Sequence, residues 1–331
     1  MHSRLRERNR VKLVIQIPCY NEEAQLPRTV RELPQAIPGI DRLEIVVIDD
    51  GSTDRTVEVA RELGARVVCV ASHRGLAHAF ATGLEASLTL GADVIVNTDA
   101  DNQYRGADVA ALVAPIVAGD ADLVIGARPI GEIAAFSVMK KFLQHLGSWA
   151  VGRLSGTRVA DATSGFRAMN REAALQLNVF SRYTYTLETI IQAAHHGLRV
   201  VSVPVRVNER MRASRLVRGN LDYMWCTASA LVRVFVVYWP FRSFMAPALV
   251  LFAIATIIAL RFLYYFLEGG GTAGHVQSLI LAAILYGLSG MLMAVAFLGD
   301  LLAINRRLLE ELQLEARRAR LRAAERERAD G

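Results

Sequence analysis

The amino-acid sequence predicts an α/β fold with a mostly parallel sheet, followed by a two-helix transmembrane hairpin. Three observations lead there. Over the first 240 residues, short strand-like apolar runs alternate with segments of helical pattern, as in successive strand-helix-strand units. Polar, acidic motifs sit where those strands end, which is where open sheets of this kind bind ligands. Beyond residue 243 the apolar residues gather into two runs long enough to cross a hydrocarbon core of about 30 Å.

In chain order, residues 1–11 are a basic arm with Arg4, Arg6, Arg8 and Arg10. The arm leads into a strand at Lys12–Ile17 and not into the apolar centre of a signal peptide, so no cleavable signal is expected. This strand leaves through Pro18-Cys-Tyr20-Asn21-Glu22-Glu23. A dinucleotide-binding unit would carry a glycine-rich turn here, and its absence argues against a dehydrogenase. A helix from about Glu23 to Leu33 follows, then a strand at Glu44–Ile48 that ends in Asp49-Asp50-Gly51-Ser52-Thr53-Asp54. Gly51 permits a tight turn, and Ser52 or Asp54 can cap the next helix, expected over Thr53–Leu63. Capping does not account for the two preceding carboxylates, so Asp49 and Asp50 are taken together as ligand-binding candidates. Arg66–Val70 reads as strand, Leu76–Leu90 as helix and Val94–Asn97 as strand. A helix at Asp108–Ala118 and strands at Leu123–Ile125 and Arg199–Val203 complete a catalytic domain spanning residues 12–220.

The strand at Val94 runs into Thr98-Asp99-Ala-Asp101-Asn-Gln103. If that segment is extended, alternate side chains share a face, and Asp99, Asp101 and Gln103 project together. Three hard oxygen ligands suit Mg²⁺ or Mn²⁺ that keeps positions open for water and a diphosphate.

The 331 residues are 53% apolar, more than a purely soluble enzyme needs. The surplus lies in Phe244–Leu267 and Ser278–Ile304, which carry one charge each near an end, Arg261 and Asp300. Their connecting loop lacks Lys and Arg, whereas Arg233, Arg242, Arg306 and Arg307 flank the pair. This asymmetry predicts a two-span membrane protein with the catalytic domain and both termini cytoplasmic. Residues 221–243 are expected to form a juxtamembrane amphipathic helix and residues 305–331 a charged tail helix, lying either at the membrane interface or in solvent. The net charge of +6 comes from basic residues near these segments and at both ends, which fits anionic lipid and not nucleic acid. The three cysteines, Cys19, Cys69 and Cys226, have no metal or disulfide spacing, and the histidines read as structural or surface residues.

Pro-x-Tyr-Asn-Glu at residue 18, Asp-Asp-Gly-Ser-x-Asp at 49 and Asp-x-Asp-x-Gln at 99, in this order, resemble glycosyltransferase family 2 and its GT-A nucleotide-sugar fold. Within it the chain resembles the polyprenyl- and dolichyl-phosphate hexosyltransferases over about residues 11–240, and the two-helix tail recurs there. Asp99-Ala-Asp-Asn-Gln-Tyr104, Asp161-Ala-Thr-Ser-Gly165-Phe-Arg167 and Tyr183-Thr-Tyr-Thr-Leu-Glu188 look most like a branch that loads N-acetylglucosamine onto dolichyl phosphate. The resemblance implies that Pro18, Tyr20 and Glu22 line the nucleoside pocket and that Asp49 or Asp50 contacts the base or ribose. It implies that Asp99, Asp101 and Gln103 hold the metal on the donor diphosphate, with Arg128 near the phosphates. Phe136–Phe142, with Lys140 and Lys141, reads as an amphipathic segment that receives the lipid phosphate. Two motifs depart from the pattern. Glu209-Arg210-Met-Arg212-Ala-Ser214-Arg215 replaces an Arg-x-x-Gly-x-Ser-Lys loop, so Arg210, Arg212 and Arg215 become the phosphate-binding candidates. Ser72-His73-Arg74-Gly75 stands where the family has Asn-x-Gly-Lys-Gly, so the lysine's role either passes to Arg74 or is gone.

These features predict metal-dependent, inverting transfer of a hexose or N-acetylhexosamine from a nucleotide sugar, UDP-linked before GDP-linked, to a polyprenyl or dolichyl phosphate. The product is a lipid-linked monosaccharide for glycan or glycoprotein assembly. A phosphate monoester has a second pKa of about 6, so this nucleophile is already ionised and needs no strong base. Asp101 acts through the metal, while Asp161 and Glu188 are candidates for sugar positioning or weak base work. The competing readings are a glycosyltransferase acting on a hydroxyl, which would need such a base, and a non-catalytic membrane scaffold. A homo-oligomer is among the partners the sequence leaves open.

Overall fold

The sheet is built outward from β1 (Lys12–Cys19), which pairs in parallel with β2 (Arg42–Asp49) on one side and β4 (Val94–Asn97) on the other. The structure is a computed structural model that describes residues 10–129, 159–179, 185–208, 235–268 and 276–330, with 152, 229, 232 and 233 singly. The seven strands lie in the order β3-β2-β1-β4-β6-β5-β7, where β3 is Arg66–Cys69, β5 Leu123–Ala127, β6 Arg167–Asn170 and β7 Val200–Pro204. All pairs are parallel except the two made by β6, which runs against both β4 and β5. All six strands expected from the sequence are present; β6 is the addition. Four residues of mixed polarity, Arg-Ala-Met-Asn, carry no strand period of their own.

Side-chain alternation covers both faces of the sheet. Leu13, Ile15 and Ile17 of β1 pack on one side with Leu26 of α1 (Leu26–Glu32), Ala60 of α2 (Thr56–Glu62) and Leu112 and Val113 of α4 (Val109–Val117). Val14 packs on the other side with Phe80, Leu84 and Leu88 of α3 (Leu76–Thr89) and with Ala173 and Ala174 of α5 (Arg171–Gln176). A period of two therefore produces a three-layer α/β domain from near-continuous apolar strands. The first helix begins at Leu26, three residues later than expected, with Pro27 in its first turn, where a missing N–H costs nothing. A sixth helix, α6 (Thr186–His195), precedes β7.

Two compact units divide the chain: Met1–Thr227 with Leu314–Gly331, and Ala228–Gln313. In the second unit, α7 (Pro240–Leu267) and the first part of α8 (Val276–Asp330) are long and apolar enough to cross a membrane, and most of their residues are exposed, as a lipid-facing surface would be and a soluble core would not. Their seam is made of small residues, with Ala248, Ala255, Ala282 and Ala296 buried. Ser289 Oγ donates to the Ala248 carbonyl at 2.8 Å, and Tyr286 OH to Thr256 Oγ1 at 3.0 Å. Such close packing and hydrogen bonding replace the hydrophobic drive that lipid removes. At the cytoplasm-facing end predicted from sequence, the Arg306 guanidinium lies 4.2 Å from the Tyr238 ring centroid.

The charged tail expected to be helical from residue 305 is the continuation of α8, which runs to Asp330. Its last part belongs to the unit that holds the sheet. Leu321 is buried in the α3 and α5 cluster, Arg317 Nη1 donates to the Leu175 carbonyl at 2.9 Å and pairs with Glu85 at 3.3 Å, and Arg318 pairs with Glu172. Leu321→Asp puts a charge in that apolar contact and is expected to cost about 1–3 kcal/mol. Denaturant unfolding checks the loss, and trypsin should then cut first at the tail arginines; a wild-type midpoint and digestion pattern would show that the tail adds nothing.

Candidate active site

Two loops at the carboxyl end of the sheet are stitched together by hydrogen bonds between residues some thirty positions apart. Asn21, at φ 54°, turns the chain after β1, so that its N–H donates to Ser52 Oγ at 2.9 Å while its Oδ1 accepts from the Thr53 N–H at 2.8 Å. The Glu22 N–H donates to Thr56 Oγ1 at 2.9 Å and the Glu23 N–H to Asp54 Oδ2 at 3.2 Å. Asn tolerates the left-handed conformation better than other non-glycine residues. Ser52 and Asp54 thus tie one loop to the other, and Asp54 also caps the start of α2 by accepting the Thr56 N–H at 3.0 Å. Tyr20 and Glu22 fall on this first loop, and Pro18 lies just before it, near the end of β1. Pro18 sits where β4 has stopped pairing, since the last β1–β4 partners are Gln16 and Asn97, so its missing N–H breaks no ladder on that side.

The tandem carboxylates divide their work. Asp49 accepts the Ser52 N–H at 3.3 Å and shapes the turn. Asp50 is almost fully buried and holds the 73–75 segment: it accepts the Arg74 N–H at 3.0 Å and the Gly75 N–H at 2.7 Å, and faces His73 Nδ1 at 2.8 Å. The His73 ring stacks on Tyr20 with centroids 3.8 Å apart and planes at 22°. Gly51, at φ 76°, lets these loops meet, because a Cβ there would lie 2.8 Å from the His73 amide nitrogen. His73, read from sequence as structural or surface, therefore stands beside the proposed nucleoside pocket. Its place in the segment that departs from the family pattern was the available signal.

The acidic segment is not extended, which corrects the geometric premise of the sequence reading. Asn102 adopts φ 55°, and the chain turns so that Asp101 Oδ1 accepts the Gln103 N–H at 3.1 Å. Asp101 is exposed, Asp99 is half-buried and the Gln103 side chain is buried. Strand alternation therefore does not place these three groups; a side-chain-capped turn does.

Beneath Asp99 runs a buried polar chain. Gln16 Nε2 donates to Asn97 Oδ1 at 2.9 Å, and Asn97 Nδ2 donates to the Gly165 carbonyl at 2.8 Å and to Tyr185 OH at 2.9 Å. The Gly165 N–H donates to Tyr104 OH at 3.1 Å, and the Tyr185 ring lies flat on Phe80 at 3.8 Å. A Cβ on Gly165 would stand 2.9 and 3.0 Å from the two Asp99 carboxylate oxygens, so any side chain there would force that carboxylate to shift. Enclosure of the Asp99 carboxyl, and then the Asp101 charge, push its pKa up to about 7 against the pull of Arg128 and Arg167. Two carboxylates that resist joint ionisation are a donor set for a hard divalent cation. Among the described residues, no group of three or more His, Cys, Asp or Glu side chains is arranged for a metal, so a cation here would rest on this pair with amide, water or ligand oxygens completing its shell.

The antiparallel β6 explains why residues 161–165 reach this end of the sheet. Its first residue, Arg167, pairs with Asn97 of β4 and Ile125 of β5, so the turn before it arrives where those strands end. Arg128, just past β5, grips Asp161 as a two-toothed fork, Nε to Oδ2 at 2.6 Å and Nη2 to Oδ1 at 3.1 Å, with Nη2 also on Thr163 Oγ1 at 2.9 Å. Burial alone would raise the Asp161 pKa, but the Arg128 charge and the hydrogen bonds from Arg128 and Thr163 hold it below the usual carboxylate range. Asp161 is fully buried and committed to positioning Arg128, an argument against its use as a base. Arg167 is also fully buried; Nη1 donates to Thr189 Oγ1 at 2.5 Å, and its other nitrogens donate to the Ser164 and Ala162 carbonyls. Burial pulls its pKa down to about 10, still cationic at neutral pH. Glu188 is buried in the first turn of α6. Lys140, Lys141, Arg210, Arg212 and Arg215 lie outside the described residues. Sequence reading assigned no role to Asn97, Tyr104, Arg167 or Tyr185; a polar residue ending an apolar strand was the one signal for Asn97.

Gly165→Ala forces its Cβ against Asp99 and the Tyr185 hydroxyl. It should lower stability by about 1–3 kcal/mol and weaken Mn²⁺ binding at least tenfold, as read by thermal unfolding and metal titration of the full chain; unchanged metal affinity would remove Asp99 from the cation site.

Comparison with known proteins agrees with this architecture. The glycosyl transferase family 2 model matches residues 14–177. A polyprenol monophosphomannose synthase of Mycolicibacterium smegmatis is 30% identical over 223 residues, 63% of this chain and 83% of the relative. A UDP-N-acetylglucosamine–dolichyl-phosphate N-acetylglucosaminyltransferase of Methanococcus voltae is 30% identical over 213 residues, 57% of this chain and 83% of the relative. Glucosyl-3-phosphoglycerate synthase from Mycobacterium tuberculosis, crystallised with Mn²⁺, uridine diphosphate and glucosyl-3-phosphoglycerate, superposes with a TM-score of 0.54 at 23% identity, over 71% of this chain and 83% of that one, a likeness of fold. With the fold, the motif order and these relatives in agreement, the chain belongs to glycosyl transferase family 2 and is a glycosyltransferase.

Proposed function

We propose that this enzyme transfers a hexose or N-acetylhexosamine, with inversion, from a nucleotide sugar to the phosphate of a polyprenyl or dolichyl lipid at the cytoplasmic face of a membrane. UDP is the favoured nucleotide. The observation that carries the reading is the Arg128–Asp161 fork: both Asp161 oxygens are engaged by a buried guanidinium, so this carboxylate orients a cation and does not take a proton. A hydroxyl acceptor would need a base, whereas a phosphate dianion needs only charge and placement. The relatives named for polyprenyl- and dolichyl-phosphate sugar transfer support the same acceptor.

Each part of the site then has a task. Tyr20 with His73, Pro18 and Glu22 bound the nucleoside, and Asp49 and Asp50 hold the loops that form this pocket. Asp99, Asp101 and Gln103 would hold Mg²⁺ or Mn²⁺, whose chemistry is to neutralise charge on the departing nucleoside diphosphate. Arg128 Nη1 has no partner among the described residues and can meet a phosphate oxygen, while Arg167 adds fixed positive charge from behind. Lys140, Lys141, Arg210, Arg212 and Arg215 supply further contacts to the acceptor or the diphosphate. Glu188 positions the sugar. Preorganised charge of this kind needs no rearrangement when the glycosidic bond breaks. The two spans keep the domain where the lipid presents its phosphate, with both termini on the same side.

Purified full-length protein, polyprenyl phosphate, Mn²⁺ or Mg²⁺ and a panel of UDP- and GDP-sugars test this directly. One donor should yield a lipid-linked sugar, lost with EDTA and reduced at least ~100-fold by Asp101→Ala. Glu188→Gln should keep activity within about tenfold, since no base is required. Glycosylation of a hydroxyl acceptor with none on lipid phosphate overturns the proposal.

A further inference from the structure

We propose that Glu32, in the last turn of α1, is a positioning residue for the acidic turn that would grip the cation, an inference that rests on the reading of that turn given above. Glu32 lies about seventy residues away in sequence and belongs to none of the motifs that define the site. Its two carboxylate oxygens nonetheless bridge the site's key turn to the segment that follows β7. Oε1 accepts from Asn102 Nδ2 at 2.9 Å and Oε2 accepts from Asn208 Nδ2 at 3.0 Å. Asn102 is the residue between Asp101 and Gln103, and the one at φ 55° on which the direction of the turn depends.

The bridge is closed on all sides. Asn208 Nδ2 also donates to the Asn102 carbonyl at 3.1 Å, and the Asn208 N–H donates to the Gln103 carbonyl at 2.8 Å, so both peptide groups that follow the αL bend are held. Next along, Tyr104 and Val207 form an antiparallel bridge, and Arg206 pairs with Asp108 at 2.6 Å. The end of α1 is itself fixed against this assembly: a Cβ on Gly106 would lie 2.3 Å from the Glu32 carbonyl oxygen, so only glycine admits the contact.

The need for an outside anchor follows from what Asp101 must do. Within the turn, the bond that sets its shape is the Gln103 N–H to Asp101 Oδ1, an oxygen of a candidate metal ligand. A cation that draws electron density from this carboxylate weakens it as an acceptor for the N–H. Glu32 holds the same turn through Asn102 with an acceptor that the cation does not use. The turn can then keep its shape while Asp101 is engaged, which is preorganisation of a ligand by a neighbour that does not touch the metal.

The test uses the full chain in detergent, with Mn²⁺ as the probe, followed by electron paramagnetic resonance of the free ion with and without uridine diphosphate. Glu32→Ala should weaken Mn²⁺ binding ~5-fold and Glu32→Gln less, because one acceptor remains. The thermal midpoint should hold at this exposed position, and in the sugar-transfer assay kcat should fall at saturating donor but recover in excess Mn²⁺. Asn102→Gly, which accepts φ 55° but cannot reach Glu32, should match Glu32→Ala and add nothing to it in the double variant. If Asp101→Ala abolishes Mn²⁺ binding while Glu32→Ala leaves it unchanged, Glu32 has no positioning role although the site stands. If Asp101→Ala itself leaves Mn²⁺ binding unchanged, the cation reading of the turn fails, and the role of Glu32 fails with it.

Discussion

Asn97 is a fully buried amide at the end of an otherwise apolar strand, and the site is arranged around the need to satisfy it. A buried polar group without partners costs on the order of 1–3 kcal/mol, so the side chains around it are constrained to supply donors and acceptors. Gln16 supplies a donor from β1, while the Gly165 carbonyl and Tyr185 hydroxyl accept from the turn before β6 and from the start of α6. Three segments distant in sequence are thereby fixed at one point directly under Asp99. The absence of a Cβ at Gly165 and the flat stacking of Tyr185 on Phe80 are consequences of the same closure.

Charge is distributed above this polar floor so that each group is held by another. Arg128 is oriented by Asp161 and Thr163, while Arg167 is oriented by a hydroxyl and two backbone carbonyls. Fixing two guanidinium groups before a ligand arrives removes the entropy of ordering them at the moment of binding. Asp99, by contrast, is held above the usual carboxylate range, first by its enclosure and then by the Asp101 charge beside it. Preset positive charge thus stands near a negative pair, the combination that the proposed metal–diphosphate ligand would satisfy.

The unit of the two long apolar helices follows a different rule. Within it, α7 and α8 meet along buried alanines with Ser289 and Tyr286 hydrogen-bonded across the seam, while leucine, isoleucine and phenylalanine face outward. A soluble helix pair would place those large residues inside; a lipid surround, which these helices are long and apolar enough to cross, would remove the reason to do so. The apolar residues in the α/β unit point inward along a strand period of two, and here they point outward around a helix.

Much of this was legible in the sequence because it depends on local pattern. Six of the seven strands, their mainly parallel alternation with helices and the two long apolar helices follow from periodicity and length, and the motif order alone suffices for the family. What the tertiary structure decided depends on contacts between distant residues. The antiparallel β6 is too short to have a period, yet it carries the 161–165 turn to the site. Asp99, Asp101 and Gln103 are arranged by an αL bend at Asn102 where strand alternation was expected, because Asp101 caps the turn itself. Glu32 has no local signature and His73 and Asn97 have only a faint one, since each acts on partners tens of residues away. Local pattern determines which elements form; the satisfaction of buried polar groups and paired charges between those elements decides which side chains meet.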